Sequence, residues 1–220
     1  MNLEERIGYK FKNKELLRLA LTHSSYVNEH KLRKEDCNER LEFLGDAILE
    51  MVTSEYFYKA FPDKMEGELS KIRSTLVCER ALAVSAREID LGHALIFGKG
   101  MDKESSRENE NIISDAFEAL IAAIFLDSDL DHAKDLIYQH VLNDMDFKMV
   151  YNDAKTALQE KLQAKGLQAE YRLMKEEGPD HEKRFTVKVF IDGKPYAEAS
   201  GSSKKHAEQV AAMRTFTMLD

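Results

Sequence analysis

An apolar stretch just past the middle of the chain constrains the fold more than any other feature. From Ile112 to Leu126 the residues are apolar except for Ser114, Asp115 and Glu118. The pattern predicts a helix over residues 111–126, and a helix that is apolar almost all round is usually buried. This helix is therefore expected to be buried.

Two carboxylates interrupt the apolar surface of this helix. Burying an ionised carboxylate is costly unless the group is ion-paired or binds a metal ion. Asp115 and Glu118 are three residues apart, which places both on one face of the helix, one turn from each other. They are candidates either for ion pairing or for metal binding.

A second helix has acids in a similar arrangement. Apolar residues at steps of three and four predict a helix from about Asn38 to Phe57. Glu39, Glu42 and Asp46 follow one another along one face of it, beside the apolar stripe. Two such helices suggest a shared cation site, for which hard oxygen ligands favour Mg²⁺ or Mn²⁺. Ions of this kind can activate water and stabilise an in-line phosphoryl displacement.

Periodicity alone does not decide between metal binding and a structural role for these acids. The acids could rim an exposed surface, or they could pair with nearby arginines, namely Arg40, Arg73 and Arg80. A di-iron carboxylate bundle is disfavoured because it requires Glu-x-x-His pairs. Three residues after Glu118 comes Ile121, and three after Glu39 comes Glu42.

The two parts of the chain differ in pattern and in charge. No strand pattern interrupts the helical periodicity up to about residue 147, so the first part is expected to be nearly all α. Residues 1–150 contain 20 basic and 29 acidic side chains, a net charge of −9. Residues 151–220 contain 12 and 11, a net charge of +1. The overall charge of −8 therefore belongs to the first part, and it does not exclude phosphate contact by the second.

The second part has the pattern of a small α+β domain. A helix over 154–165 precedes Gly166, a typical C-terminal stop. Residues 169–175, 185–191 and 195–199 are predicted strands, and Asp192-Gly193 is a strong hairpin turn between the last two. A helix over 203–219 completes the order α-β-β-β-α. The polar segment around 146–153 predicts a boundary with a short hinge.

Cysteines and apolar content indicate the compartment. Cys37 and Cys78 lack metal-ligand spacing and do not make a disulfide framework, so free thiols in a reducing compartment are expected. Residues 1–6 are charged, with no signal-peptide core behind them. No apolar run reaches the roughly 20 residues that span a bilayer. We expect a cytoplasmic protein without membrane association.

Residues 39–47 (ERLEFLGDA) resemble the signature of the ribonuclease III family. Three further segments resemble other motifs of this family, and their order resembles its bacterial class with one catalytic domain. They are residues 20–26 (ALTHSSY), 66–70 (EGELS) and 114–120 (SDAFEAL).

The resemblance implies a metal-dependent catalytic centre. Glu42, Asp46, Asp115 and Glu118 match the family's metal-binding positions, for Mg²⁺ with Mn²⁺ as a substitute. Glu118 would be the most direct metal ligand, and Asp46 the other residue most sensitive to substitution. The implied reaction hydrolyses double-stranded RNA and leaves staggered ends with 5′-phosphate and 3′-hydroxyl groups. Ribosomal and other precursor RNAs would be substrates.

Further residues take on implied roles from the same resemblance. Glu39 and Glu66 match positions that assist in substrate handling or in outer-shell metal binding. The family works as a homodimer through the catalytic domain, and Phe43 and Leu44 are candidate interface residues. Core packing is an equal alternative for Leu44 and a weaker one for Phe43. Some positions depart from the family pattern without touching the candidate ligands, namely Ala122, Met101 and Ser105-Ser106.

The second part resembles the double-stranded RNA-binding domain over nearly all of residues 153–220. Such domains read A-form shape across two minor grooves and the phosphates between them. Three patches match: one face of the first helix, the turn between the first two strands, and the start of the last helix, where free N–H groups favour phosphate. The residues implied are Thr156, Gln159 and Gln163 in the first patch, His181 in the second, and Ser203, Lys204 and Lys205 in the third.

The sequence thus predicts an all-α catalytic domain over residues 1–147, a short hinge over 148–152 and a small α+β double-stranded RNA-binding domain over 153–220. Two other functions agree less well with the residues. A dimeric RNA-binding protein with an inactive centre is disfavoured because all four expected acids are present. A helical protein adaptor would account for the apolar faces but not for the acids.

Overall fold

The computed structural model describes residues 2–101, 103–143, 154–177, 183–201 and 203–219. The chain forms two compact units, Met1–Met145 and Asp146–Asp220. The hinge predicted at 148–152 and the predicted RNA contact His181 lie outside the described residues.

The first unit is helical, as the sequence predicts. In its described residues the only bridge between extended segments joins Thr22 to Ile96. Its helices are α1 Leu3–Arg6, α2 Lys14–Ala20, α3 Ser24–His30, α4 Glu39–Ala60, α5 Glu66–Leu76, α6 Glu79–Glu88, α7 Leu91–Ala94, α8 Lys103–Arg107, α9 Glu110–Asp127 and α10 Leu130–Ile137. A 3-10 turn covers Lys34–Asp36, and a π-helical turn over Tyr138–Leu142 continues α10.

Helix α9 is the centre of this unit. It packs against α2, α4, α6 and α10, and its most extensive contact is with α4. Most of its residues are buried, and those from Ala119 to Ile124 are fully so. The prediction that this helix is buried is confirmed. Ala122, at a position where the family commonly has glycine, belongs to this fully buried stretch.

Two short helices involve contacts that local periodicity does not predict. Helix α3 begins within residues 20–26, where the His23 ring accepts a hydrogen bond from the Ser25 N–H at 3.1 Å and caps the helix. Gly92 lies in α7. Its carbonyl accepts a hydrogen bond from the Arg107 guanidinium at 2.9 Å, a contact between distant residues that local pattern does not reveal.

The second unit has the predicted order α-β-β-β-α. Its elements are α11 Ala154–Gln163, β1 Ala169–Glu177, β2 Arg184–Ile191, β3 Lys194–Gly201 and α12 Lys204–Met218. The strands form one antiparallel sheet in the order β1-β2-β3. Asp192 and Gly193 both have positive φ, as a tight two-residue hairpin turn requires. Both helices contribute to one core with β2 and β3, through residues such as Leu158, Val189 and Ala211.

Candidate metal centre

Three carboxylates from the two central helices of the first unit meet at one point. Glu42 belongs to α4, and Asp115 and Glu118 belong to α9. One oxygen of each lies within 4.8 Å of the other two, and all three side chains are half-buried. The i, i+3 spacing on α9 and the contact between α4 and α9 therefore bring together acids that are more than 70 residues apart in sequence.

A glycine allows the two helices to come this close. A Cβ atom on Gly45 would lie 1.8 Å from the main-chain oxygen of Glu118. No side chain fits into that space, so the backbone of α4 rests directly on α9 at the residue that contributes one of the carboxylates. Gly45 lies three residues after Glu42, and the same contact thus fixes where Glu42 faces Glu118.

Of the other acids predicted from the sequence, Asp46 and Glu39 lie beside this cluster on α4. Asp46 is exposed on α4, one turn beyond Glu42, and is outside the group of three. Glu39 is exposed at the start of α4. Glu66 is exposed at the start of α5, where its carboxylate accepts a hydrogen bond from the Ser70 hydroxyl at 2.9 Å. The structure brings together Glu42, Asp115 and Glu118, with Asp46 and Glu39 beside them. Glu66 lies instead near Ser54 and Tyr58, on the later part of α4.

Burial and mutual repulsion disfavour the ionised form of the carboxylates in this cluster. Burial, followed by the charges of Asp46, Asp115, Glu42 and Glu50, raises the pKa of Glu118 to about 8. Burial, followed by the neighbouring carboxylates, also raises the pKa of Glu42. A cation placed among these oxygens would reverse both effects, because it stabilises the ionised carboxylates.

Burial also raises the pKa of Asp115, and the charge of Glu79 adds to that effect. A hydrogen bond from the Ser114 hydroxyl, at 3.4 Å, acts in the opposite direction. The Asn111 amide donates to the same carboxylate at 3.2 Å. These two neutral donors orient Asp115 without supplying the positive charge that the cluster lacks.

Ion pairing of these acids receives little support. Every charge that shifts the pKa of Glu118 belongs to another carboxylate. Arg73, one of the candidate partners, donates instead to the Ser54 hydroxyl at 2.7 Å. The donor set is made only of hard oxygens, and oxygens bound to one Mg²⁺ ion are separated by about 3–4 Å. The three carboxylates therefore fit a divalent ion of this class.

Sequence reasoning missed two acids that act on the centre. Glu50 adds to the negative charge at Glu118, and Glu79 adds to that at Asp115. The spacing contained a signal for Glu50, which follows Asp46 by four residues and extends the acidic face of α4. Glu79 had no such signal, since it reaches the centre through the packing of α6 against α9.

The second unit presents two of the three predicted RNA-contact patches in its described residues. Thr156, Gln159 and Gln163 are all exposed on α11, on the face opposite the buried Leu158 and Leu162. The predicted contacts at the start of α12 are also exposed, namely Ser203, Lys204 and Lys205. Polar groups on one helix and lysines at the N-terminus of another are typical of a surface that contacts a sugar–phosphate backbone.

The two units define a class of protein in which a helical unit with a half-buried carboxylate cluster is joined to a separate α-β-β-β-α module with an exposed polar and basic surface. Comparison with known proteins specifies that class. A family model described as Ribonuclease-III-like matches residues 13–145, and one described as Double-stranded RNA binding motif matches residues 154–219.

Known proteins match over nearly the whole chain. Ribonuclease 3 of Desulforamulus reducens is 45% identical over 99% of this chain and 90% of its own length. Ribonuclease 3 of Streptococcus gordonii is 44% identical over 97% and 94%. The crystal structure of the nuclease domain of ribonuclease III from Campylobacter jejuni is similar with a TM-score of 0.59 and 39% identity, over 64% of this chain and 92% of that domain.

This chain belongs to the ribonuclease III family. It is an endoribonuclease that cuts double-stranded RNA, and the resemblance stated from residues 39–47 and 153–220 is confirmed. The family is metal-dependent, and the cluster of acids in the first unit agrees with that property. None of the helices described above has the length and the apolar composition that crossing a lipid bilayer demands.

Proposed function

We propose that Glu42, Asp115 and Glu118 bind a Mg²⁺ ion, which Mn²⁺ can replace, and that Asp46 completes the catalytic centre. The observation that supports this most directly is the convergence of three carboxylate oxygens, from two helices, within 4.8 Å. Their chemistry fits a hard divalent ion, and no other described group of histidine, cysteine or acidic residues has comparable geometry.

Each residue then has a distinct task in phosphodiester hydrolysis. A bound divalent ion would supply an activated water molecule and stabilise the charge that develops on the phosphate. Glu118, whose pKa is raised by burial, would hold the ion through its carboxylate. Asp115 is held in orientation by Asn111 and Ser114. Asp46 is exposed beside the cluster and is placed to accept a hydrogen bond from a water molecule at its open side.

Two further acids are assigned to the substrate side in this proposal. Glu39 and Glu66 are exposed and lie outside the three-carboxylate group. We assign them to outer contacts with the substrate or with water molecules around the ion. The product ends would be a 5′-phosphate and a 3′-hydroxyl, in staggered positions on the two strands.

The second unit would hold the duplex. Thr156, Gln159 and Gln163 face one minor groove through their polar side chains, which can hydrogen-bond to 2′-hydroxyl groups. Lys204 and Lys205, with Ser203, contact phosphates at the N-terminus of α12. His181 would reach the next minor groove. We propose residues 1–147 and 153–220 as the two functional domains, joined by the hinge at 148–152.

We also propose that two copies of the chain associate through α4. Phe43, Met51 and Tyr58 are spaced by eight and seven residues, so they form one stripe on the exposed face of this helix. Phe43 is 80% exposed and Tyr58 75% exposed, which is unusual for large apolar side chains on a helix. The related C. jejuni structure is described as having a region involved in dimer formation of the nuclease domain. Leu44 is half-buried and contributes less surface.

Phe43→Asp is expected to convert the dimer into monomers. Truncating a buried aromatic anchor costs about 2 kcal/mol or more, and a two-fold interface loses it twice. The dimer dissociation constant should therefore rise about a thousandfold. Sedimentation of the variant over a range of concentrations measures this. Leu126→Asp is the matched control, since Leu126 is 50% exposed at the end of α9 and outside the stripe. A Phe43→Asp variant that remains as dimeric as this control would contradict the proposed interface.

The biological setting follows from this activity. We propose that the enzyme processes ribosomal and other precursor RNAs in the cytoplasm, where its two free cysteines remain reduced. Duplex segments of such precursors present the A-form geometry that the second unit reads.

The decisive experiment is cleavage of a labelled RNA duplex with increasing Mg²⁺. Cutting of this duplex, with single-stranded RNA and duplex DNA intact and no cutting in EDTA, is the expected result. The product ends are identified by 5′ labelling. A fragment that carries a 5′-phosphate accepts the label only after phosphatase treatment. Duplex binding without cutting at any Mg²⁺ or Mn²⁺ concentration would assign the carboxylates a purely structural role. Absence of both binding and cutting would favour the adaptor alternative.

A further inference from the structure

We propose that Glu208 is a positioning residue for RNA recognition, because its ion pair with Lys155 joins the start of α11 to the start of α12. The inference rests on the proposed function, in which these two helices carry the minor-groove and phosphate contacts. The RNA-contact residues predicted from the sequence do not include this pair.

The pair is a close and partly protected contact. Lys155 Nζ lies 2.7 Å from Glu208 Oε2, and their side chains are 36% and 15% exposed. On its other side, the same ammonium group lies 4.6 Å from the centre of the Tyr171 ring on β1. The ring and the carboxylate together confine Lys155, since both attract a positive charge.

A second bond joins the same two helices. The backbone N–H of Lys155 donates to Gln209 Oε1 at 3.2 Å, and Gln209 is only 8% exposed. The first N–H groups of a helix have no partner within it, so this side chain from α12 satisfies one of the free donors of α11. Two consecutive residues of α12 thus hold one residue at the beginning of α11.

The position of this contact connects it with RNA. Lys155 immediately precedes Thr156, the first residue of the proposed minor-groove face. Glu208 lies one turn after Lys204, the first residue of α12 and part of the proposed phosphate-binding end. A duplex has a fixed distance between its minor groove and the phosphates of the neighbouring major groove. Both patches can bind one duplex at full strength only if the protein holds them at that spacing, and a surface held in its binding geometry loses less entropy on association.

A purely electrostatic role and a positioning role for Glu208 predict opposite changes in RNA binding. Glu208→Gln deletes a negative charge close to the phosphate-binding end, which by electrostatics should strengthen binding to RNA. A positioning role predicts weaker binding, by about tenfold, because glutamine replaces the charge-assisted bond to Lys155 with a weaker one to a neutral acceptor. The sign of the change therefore separates a positioning role from a purely electrostatic one.

The matched control removes the same charge elsewhere in the second unit. Glu170 pairs with Arg172 at 2.7 Å, and both residues belong to β1, so this pair connects neither helix. Glu170→Gln should leave RNA binding unchanged or make it slightly tighter. Both variants should fold, since Lys155 is exposed enough to be solvated once Glu208 is replaced.

The experiment uses the full chain, with fluorescent RNA duplexes of 10 and 20 base pairs in EDTA, followed by cleavage kinetics in Mg²⁺. Glu208→Gln should bind the 20-base-pair duplex about tenfold more weakly than the wild type, with a much smaller change for the 10-base-pair duplex, which is shorter than the roughly 16 base pairs such a domain spans. In cleavage, KM should rise while kcat stays the same, and thermal unfolding should remain close to that of the Glu170→Gln variant.

Two further variants separate the failure of this inference from failure of the proposed RNA surface. Gln159→Ala and Lys204→Ala should each weaken binding, because they change the contact patches directly. If both do so while Glu208→Gln binds as well as Glu170→Gln, the positioning role is overturned. If neither weakens binding, the proposed RNA surface itself is wrong.

Discussion

Replacing Glu118 by glutamine should lower the rate of duplex RNA cleavage by about a thousandfold or more and leave duplex binding intact. A bound metal ion stabilises the transition state by several kcal/mol, and each 1.36 kcal/mol corresponds to a factor of ten in rate. Glutamine has nearly the same shape but no negative charge, so the loss reports on ligand charge rather than on packing. Single-turnover cleavage at saturating Mg²⁺ measures it, together with duplex binding in EDTA.

Glu50→Gln is the control for this variant. Glu50 adds negative charge at Glu118 and is exposed on α4, but it is outside the group of three carboxylates. Its replacement should change the cleavage rate by only a few-fold. Equal activity of the Glu118→Gln and Glu50→Gln variants would disprove the assignment of Glu118 as a metal ligand.

The same Glu118→Gln variant should be more stable than the wild type when no metal is present. The pKa of Glu118 is raised from 4.5 to about 8 in the folded protein, so folding disfavours its ionised form. Ionisation therefore destabilises the wild type progressively as the pH rises from 4.5 to about 8, and the uncharged glutamine is free of this effect. Melting temperatures in EDTA should diverge over that range. Added Mg²⁺ should raise the melting temperature of the wild type far more than that of the variant.

Gly45→Ala should strongly destabilise the first unit. The added methyl group would overlap the Glu118 carbonyl oxygen, since the two atoms would be 1.8 Å apart. Neither partner can yield, because both belong to helix backbones, and α4 and α9 would have to separate. Overpacking of a core costs about 1–3 kcal/mol and at times more, and a backbone clash lies at the upper end. Urea unfolding should show a loss of about 3 kcal/mol.

Gly67→Ala provides a matched control on a neighbouring helix. Gly67 belongs to α5, and a Cβ atom placed there would meet open space. Alanine in a helix is favoured over glycine by about 0.5–1 kcal/mol, so this variant should be as stable as the wild type or slightly more so. If Gly45→Ala unfolded at the same urea concentration as Gly67→Ala, the close approach of α4 and α9 would be contradicted.

Much of the fold could be predicted because its periodic signals are local. The apolar run that became α9 and the alternation that became β2 each reflect one secondary-structure element with one buried face. Short helices such as α3 and α7 could not be predicted in this way. Each involves a hydrogen bond with a specific side chain: the His23 ring accepts one at the start of α3, and the Arg107 guanidinium donates one to Gly92 in α7.

By itself, the sequence determined which residues carry negative charge on apolar helices and which face of each helix they share. Helical spacing is a property of the backbone, so Asp115 and Glu118 were certain to be neighbours once α9 formed. Which acids meet across helices was decided by tertiary structure alone. Gly45 lets α4 rest on α9, and that contact brings Glu42 to Glu118 and leaves Asp46 exposed. Distances between separate helices depend on how their side chains pack, which no local pattern encodes.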